Sequence, residues 1–177
     1  MKASVICIYD FVILLGSPGS GKTTIGELLK EKINSIYIDY DTIREFNFDR
    51  LWKNMKRNAE RDPVALENLI LILKNYGKHK VKNVIVGGVG DKETKVVLAK
   101  LKNYNNIIIK LCLSDDEVLK KRVLMESRDS GYRDFNAAIK LNREIRNGMT
   151  YPNERIVDST NQTPDETADQ IIEILSK

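Results

Sequence analysis

The segment from Gly16 to Thr24 constrains the fold of this chain more than any other part of it. It reads Gly-Ser-Pro-Gly-Ser-Gly-Lys-Thr-Thr and matches the P-loop pattern, in which spaced glycines precede a lysine and a hydroxyl residue. The apolar run 11–15 stands before it, and a helix-like segment begins at residue 25. This order of strand, loop and helix is the context that a phosphate-binding loop requires. The segment therefore predicts an α/β fold whose first strand ends in a phosphate cradle.

Each residue type in this loop has a role in holding a polyphosphate. Glycines allow backbone N–H groups to turn toward phosphate oxygens, and the helix that follows adds positive partial charge at its N-terminus. Lys22 would reach the outer phosphates, and the Thr23 hydroxyl would hold Mg²⁺. The predicted nucleotide-binding residues of the loop are Gly16, Ser17, Pro18, Gly19, Ser20, Gly21, Lys22, Thr23 and Thr24. The alternative is a glycine-rich turn that binds no nucleotide.

Length and composition indicate one globular domain over residues 1–177. Hydrophobic residues make up 42% of the chain and charged residues 31%, which is typical of such domains. The net charge of +4 suits a polyanionic ligand such as ATP, but a lysine-rich solvated surface explains it as well. Cys7 and Cys112 lie in apolar runs and are predicted to be buried thiols. A metal site of histidines and cysteines is not expected, because there is one histidine and no paired-cysteine spacing.

The chain is expected to be cytoplasmic and to make no contact with a membrane. Its apolar start is interrupted by Asp10, and no apolar run approaches the length of a membrane span. Nucleic acid is a less favoured partner than a small molecule, since the basic excess is mild.

Strand-like and helix-like segments alternate along the chain. The predicted strands are 11–15, 35–38, 84–86, 107–113 and 156–157. Asp62 and Pro63 indicate a helix start, Gly77 a helix stop, and Ser114 to Glu117 and Thr163 to Glu166 two capping boxes. This alternation predicts a three-layer α/β fold with a five-stranded parallel sheet and a short lid at about 127–135.

Polar or glycine-rich features follow several of these strands. Asp39 and Asp41 follow the second strand, and Gly87 and Gly88 follow the third. Ligands of parallel sheets bind outside the carboxyl ends of the strands, so these features should converge with the P-loop. If the extended backbone continues through Asp41, both carboxylates face the same way.

Phosphoryl transfer has a use for such a pair. One carboxylate would hold the water shell of the metal, and the other would orient or deprotonate the acceptor. The alternative is turn chemistry, in which Asp41 caps a helix that starts at Thr42.

Several arginines lie on or near the predicted lid, whose hinge would be Ser130 and Gly131. Closing arginines stabilise the charge that a transferring phosphoryl group spreads over its oxygens. A solvated basic face is the alternative for each of them. The residues concerned are Arg122, Arg128 and Arg133, with Arg143 and Arg146 on the helix after the lid.

Together these motifs resemble the small P-loop kinases, the group that contains nucleotide, shikimate and gluconate kinases. The resemblance covers nearly the whole chain, and it is carried by residues 16–23, 39–44, 87–88, 122–133 and 157–160. It implies ATP and Mg²⁺ as cofactors, with Thr23 and Asp39 on the metal and Asp41 at the acceptor hydroxyl. It also implies acceptor-side helices at about 42–76.

The same resemblance places Arg122 near the adenine and Arg128 or Arg133 on the phosphates. The chain departs from the pattern in three ways. Its glycine cluster is Gly-Gly-Val-Gly, and no carboxylate stands directly after Val86, although Asp91 is a candidate substitute. The arginine spacing in the lid also differs from the adenylate kinase pattern.

The sequence thus predicts ATP- and Mg²⁺-dependent transfer of a phosphoryl group to a hydroxyl or phosphate of a small molecule, such as a nucleoside, nucleotide or metabolite. The alternatives are a kinase of polynucleotide ends and a nucleotide-binding switch or ATPase without an acceptor. The predicted catalytic residues are Lys22, Asp39, Asp41, Arg128 and Arg133.

Overall fold

A five-stranded, all-parallel sheet forms the centre of the protein. The computed structural model describes residues 9–46, 61–126, 131–148 and 150–177. The strands are β1 (Phe11–Gly16), β2 (Tyr37–Asp39), β3 (Val84–Gly87), β4 (Asn106–Cys112) and β5 (Glu154–Asp158). Their order across the sheet is β2-β3-β1-β4-β5, which confirms the predicted fold class.

Helices cover both faces of this sheet. They are α1 (Lys22–Lys32), α2 (Tyr40–Phe46), α3 (Arg61–Lys78), α4 (Asp91–Lys100), α5 (Asp116–Leu124), α6 (Phe135–Asn147) and α7 (Pro164–Leu175). Alternate residues of β1 point to opposite faces: Phe11 and Ile13 pack with residues of α3 and α4, whereas Val12 and Leu14 pack with α1 and α7. Burial on both faces explains why the strands are apolar throughout. Within the described ranges, none of the helices combines the length and the apolar character that a membrane span requires.

The connection pattern puts a ligand cleft at the end of β1. The chain places β3 and then β2 on one side of β1, and β4 and then β5 on the other. Ligands of such open sheets bind where the order reverses, outside the carboxyl ends of the strands. The P-loop leaves β1 at this point. β3 separates β1 from β2, so the residues that follow β2 reach the P-loop only past the end of β3.

Three predicted helix boundaries were wrong. Helix α3 already includes Arg61, so Asp62 lies within the helix and is not its N-cap. Helix α3 does not stop at Gly77 but continues to Lys78. A Cβ on Gly77 would lie 2.2 Å from Cε1 of Tyr104, so this glycine allows a close approach instead of ending the helix. Helix α5 is capped by Asp115, whose carboxylate accepts hydrogen bonds from the Glu117 and Val118 amides. The prediction had assigned that role to Ser114.

Other local predictions were confirmed. Thr163 and Glu166 form a full capping box at the start of α7, with Pro164 in the first turn. Cys112 is a buried free thiol, and burial raises its pKa to about 11. The predicted acceptor-side region contains α2 and most of α3, while residues 47–60 lie outside the described ranges, as do Cys7 and Arg128.

A buried asparagine fixes α6 to the end of β4. The Asn142 side chain is fully buried; its Oδ1 accepts from the Leu113 amide at 3.1 Å and its Nδ2 donates to the Leu113 carbonyl at 2.7 Å. Arg146 donates to the same carbonyl at 3.2 Å. These bonds satisfy the backbone immediately after β4, where no further strand pairing is available.

We expect Asn142→Ala to lower the free energy of unfolding by about 2 kcal/mol, because the buried Leu113 amide loses its acceptor. The Leu113 carbonyl would keep Arg146 as a donor. Urea denaturation measures the difference. The matched control is Asn136→Ala on the exposed side of the same helix, where we expect a change within about 0.5 kcal/mol. Equal losses for the two variants would contradict this role for Asn142.

Candidate nucleotide and acceptor site

The P-loop is shaped to receive an anion at the start of α1. The N-cap of this helix is Gly21, which has a left-handed backbone (φ 93°), and no side chain caps the helix. Its first turn also contains no acidic residue. The first amides of a helix point outward and carry positive partial charge, so an uncapped N-terminus suits phosphate.

Gly19 brings α5 against the loop. Its φ is 88°, and a Cβ there would lie 2.7 Å from Cγ2 of Val123. A side chain at this position would therefore suffer both backbone strain and a clash with α5.

Lys22 spans the mouth of the loop. Its Nζ donates to the Gly16 carbonyl at 2.8 Å and to the Ser17 carbonyl at 3.0 Å. The hydroxyls of Ser17 and Ser20 are buried, and within the described residues they make no hydrogen bond. Buried hydroxyls nearly always have a partner. A phosphate chain held in this loop would supply acceptors for them, so the loop fits the predicted nucleotide.

The two predicted carboxylates lie next to each other, but the backbone between them is not extended as predicted. Strand β2 ends at Asp39 and α2 begins at Tyr40, so the extended backbone does not continue through Asp41. Asp39 Oδ1 accepts from the Asp41 amide at 3.0 Å. The helix cap is therefore Asp39, and the suggestion that Asp41 caps a helix at Thr42 was wrong.

This arrangement gives the two carboxylates different surroundings. Asp39 is half-buried, whereas the Asp41 side chain is 60% exposed and pairs with Arg44 at 3.0 Å. Gly88 borders both: its φ is 76°, and a Cβ there would lie 2.5 Å from Asp39 Oδ1 and 3.0 Å from the Asp41 amide. The site thus has an inner carboxylate and an outer one that solvent, and a ligand, can reach.

Tyr37 connects the inner carboxylate to α1, the helix that follows the P-loop, although no sequence motif had pointed to it. Its hydroxyl donates to Asp39 Oδ2 at 3.3 Å, and its ring lies against Gly26 of α1. Burial, with a further contribution from Asp39, raises the pKa of Tyr37, so the hydroxyl stays protonated. Strand alternation places Tyr37 and Asp39 on one face, which was a usable signal.

Thr23 and Asp39 together fit a magnesium site. Both offer hard oxygen ligands, and Tyr37, which donates to Asp39, packs against α1, the helix whose second residue is Thr23. Magnesium is usually bound by one or two protein oxygens together with substrate phosphates and water, not by a cage of side chains. In agreement, the described part of the chain contains no cluster of three or more histidines, cysteines or carboxylates.

Asp91, the candidate substitute for a carboxylate after β3, is engaged elsewhere. Lys95 donates to one of its oxygens at 2.8 Å and the Tyr151 hydroxyl to the other at 2.5 Å. These two donors lower its pKa. Its bonds therefore tie the start of α4 to Tyr151, and among the described residues it makes no hydrogen bond to Thr23 or Asp39.

Arg122 lies beside the loop, on α5. Its Nη2 donates to the Ser159 carbonyl at 2.7 Å and to the Thr160 carbonyl at 3.4 Å. Burial lowers the pKa of this guanidinium, and Asp158 opposes that effect. Because its neighbour Val123 touches Gly19, the segment 159–160 and the P-loop border the same side of α5. That Arg122 lies beside the adenine stays a prediction.

Three further predicted arginines lie within the described residues, and each bonds to another protein group. Arg133 is exposed and donates to the Tyr132 carbonyl at 2.9 Å. Arg143 pairs with Asp116 on α5, and Arg146 donates to the Leu113 carbonyl. That Arg133 or Arg128 closes on phosphates stays a prediction.

Comparison with known proteins supports the same family. A shikimate kinase from Caldicellulosiruptor saccharolyticus is 32% identical over 120 residues, which is 62% of this chain and 62% of that protein. The chain thus spans about three fifths of the length of the curated relatives it matches.

Solved structures share the fold at low identity. A sugar kinase from Janibacter sp. HTCC2649 aligns with a TM-score of 0.67 and 16% identity, over 92% of each chain. A shikimate kinase from Acinetobacter baumannii in complex with shikimate aligns with a TM-score of 0.59 and 18% identity, over 96% of this chain and 94% of that one. The predicted resemblance to small P-loop kinases is confirmed. The AAA domain family model matches residues 12–146, and the chain belongs to this family.

Proposed function

We propose that the protein is a kinase that transfers the γ-phosphoryl group of ATP, with Mg²⁺, to a hydroxyl of a small-molecule acceptor. The observation that carries this proposal is the pair of Asp39 and Asp41 held next to Gly88, with Tyr37 reaching from Asp39 to α1, the helix that follows the P-loop. A protein that only binds or hydrolyses a nucleotide has no use for a second, outward-facing carboxylate. One domain carries both halves of this site.

In this proposal the donor half is the P-loop with Lys22. The ammonium group already lies across the loop carbonyls, so it is in place to move onto the outer phosphate oxygens. Thr23 and Asp39 would hold the metal, which supplies charge neutralisation on the phosphates when it is bound. Arg122 borders the adenine, and Arg128 and Arg133 close from the lid.

The acceptor half is the exposed Asp41 carboxylate. It accepts the proton of the acceptor hydroxyl while that oxygen forms a bond to the γ-phosphorus. The bond between the γ-phosphorus and the β–γ bridging oxygen breaks, and ADP leaves with the electron pair. The products are a phosphate monoester, ADP and one proton.

The names of the relatives support one class of acceptor. The matching sequences are named shikimate kinases, and the neighbouring structures include a sugar kinase and a gluconokinase. These names support a polyhydroxylated metabolite of similar size as the first candidate. Nucleosides and nucleotides form the second set.

An assay of acceptor-dependent ADP release tests the proposal. The purified chain is incubated with Mg²⁺·ATP and, in turn, shikimate, gluconate, simple sugars and nucleosides, and the phosphorylated product is identified by mass spectrometry. We expect at least one acceptor to raise ADP release about 100-fold or more over the rate without acceptor, a modest part of the usual gain from positioning a reactant. Repeating the assay with GTP establishes the donor preference.

Two other results would overturn all or part of this proposal. Nucleotide binding with ADP release that no acceptor stimulates would favour an ATPase or switch and would contradict the kinase. Transfer to an oligonucleotide end, but to no small molecule, would replace the proposed acceptor class.

A further inference from the structure

We infer that Tyr37 is a positioning residue for the metal side of the site, where its hydroxyl holds the Asp39 carboxylate while its ring packs against α1, the helix that carries Thr23. This inference rests on the proposed function, because it concerns the Mg²⁺ of the nucleotide complex. It adds to that function a residue in neither the P-loop nor the aspartate pair. Tyr37 acts through Asp39 and does not itself touch the reacting atoms.

The path of the Tyr37 side chain past the end of β3 is the first support for this role. Strand β3 lies between β2, which carries Tyr37, and β1, which leads to the P-loop. A Cβ on Gly87, at the end of β3, would lie 2.6 Å from the Tyr37 hydroxyl oxygen. A Cβ on Gly26, in α1, would lie 2.4 Å from Cε2 of the ring. The absence of both side chains leaves the channel through which Tyr37 passes the end of β3 and reaches α1.

The direction of the hydrogen bond to Asp39 is the second support. The Asp39 carboxylate accepts only, so the single hydroxyl proton of Tyr37 goes to Asp39 Oδ2, at 3.3 Å. This bond therefore depends on the hydroxyl of Tyr37 and not on its ring.

The division of the Asp39 oxygens is the third support. Oδ1 accepts from the Asp41 amide at 3.0 Å, and Oδ2 accepts from Tyr37. Two donors on different oxygens fix the rotation of the carboxylate, yet leave lone pairs on both for the water shell of a metal. Without the tyrosine hydroxyl, only the backbone amide would hold this carboxylate.

The test is Tyr37→Phe, which removes the hydroxyl and keeps the ring in its channel. The affinity for ADP and for a non-hydrolysable ATP analogue is measured by calorimetry, once with Mg²⁺ and once with a chelator. We expect the affinity without metal to stay within about twofold and the affinity with Mg²⁺ to fall about tenfold, as for a lost hydrogen bond to a charged group. The metal-dependent gain in affinity is thus the quantity that changes.

The matched control is Tyr104→Phe. Tyr104 packs edge-on against Phe11 at a ring distance of 5.2 Å, in the core of the opposite face. Removing that hydroxyl should change neither affinity. Gly26→Ala is a second variant: its new methyl group displaces the Tyr37 ring, so it should give the same selective loss of the metal-dependent gain.

The outcomes separate this inference from the proposed function. If the wild-type chain binds nucleotide more tightly with Mg²⁺ and Tyr37→Phe does the same, the positioning role is overturned and the kinase proposal stands. Equal weakening with and without metal also overturns it, since the hydroxyl would then act on the loop as a whole. If the nucleotide affinity of the wild-type chain is the same with and without Mg²⁺, the proposed metal site is overturned, and this inference with it.

Discussion

Lys22→Ala is expected to lower kcat/KM for phosphoryl transfer on the order of 10³-fold, the loss typical of removing one preorganised charge from a developing anion. The reason is geometric as well as electrostatic. The Lys22 ammonium is held across the P-loop by the Gly16 and Ser17 carbonyls, at 2.8 and 3.0 Å, so little reorganisation is needed when phosphate arrives. Steady-state kinetics with the acceptor found in the panel assay gives the value.

The fold should survive this change. The two lost hydrogen bonds cost about 1–2 kcal/mol of unfolding free energy together, because water reaches the half-buried loop and solvates the freed carbonyls. The control is Lys30→Ala on the same helix, where the lysine pairs only with Glu27 at the surface. We expect wild-type kinetics for that variant. Activity above a tenth of wild type in Lys22→Ala, with an intact fold, would show that this lysine is not the donor-side cation.

The sequence predicted the fold well because the signals for it are local. An apolar run before the P-loop, the helix start at Thr163 and the glycines at the end of β3 can each be recognised without knowing what they pack against. The strand order is not local. That β3 lies between β1 and β2 depends on how helices on both faces pack, and no single segment encodes it.

The site residues also divide into those that a local pattern identifies and those that depend on distant parts of the chain. The P-loop follows a pattern of fixed spacing, so its residues could be named at once. The relation between Asp39 and Asp41 depends on where β2 ends, and the helix that starts at Tyr40 replaced the predicted extended backbone. The role of Tyr37 was not predicted because it depends on the space that Gly26 and Gly87 leave for its side chain, and these glycines belong to α1 and β3.

Asp41→Asn should lower kcat about 10²- to 10³-fold while leaving nucleotide affinity unchanged, since a positioned general base is worth that much. The asparagine keeps the shape of the side chain but cannot take up the acceptor proton. Asp41 is 60% exposed and bonds to Arg44, and the structure gives it no bond to the P-loop among the described residues. Loss of that exposed ion pair should cost less than about 1 kcal/mol in stability.

Comparison with Asp39→Asn makes this prediction specific. Asp39 lies inward, bonded to Tyr37 and to the Asp41 amide, so its neutralisation should reduce the Mg²⁺-dependent part of nucleotide affinity. Glu45→Gln is the matched control, because Glu45 is an exposed carboxylate on the same helix as Asp41 and should be silent in both assays. If Asp41→Asn instead weakens Mg²⁺·nucleotide binding as Asp39→Asn does, both carboxylates serve the metal. The acceptor base would then have to come from another residue.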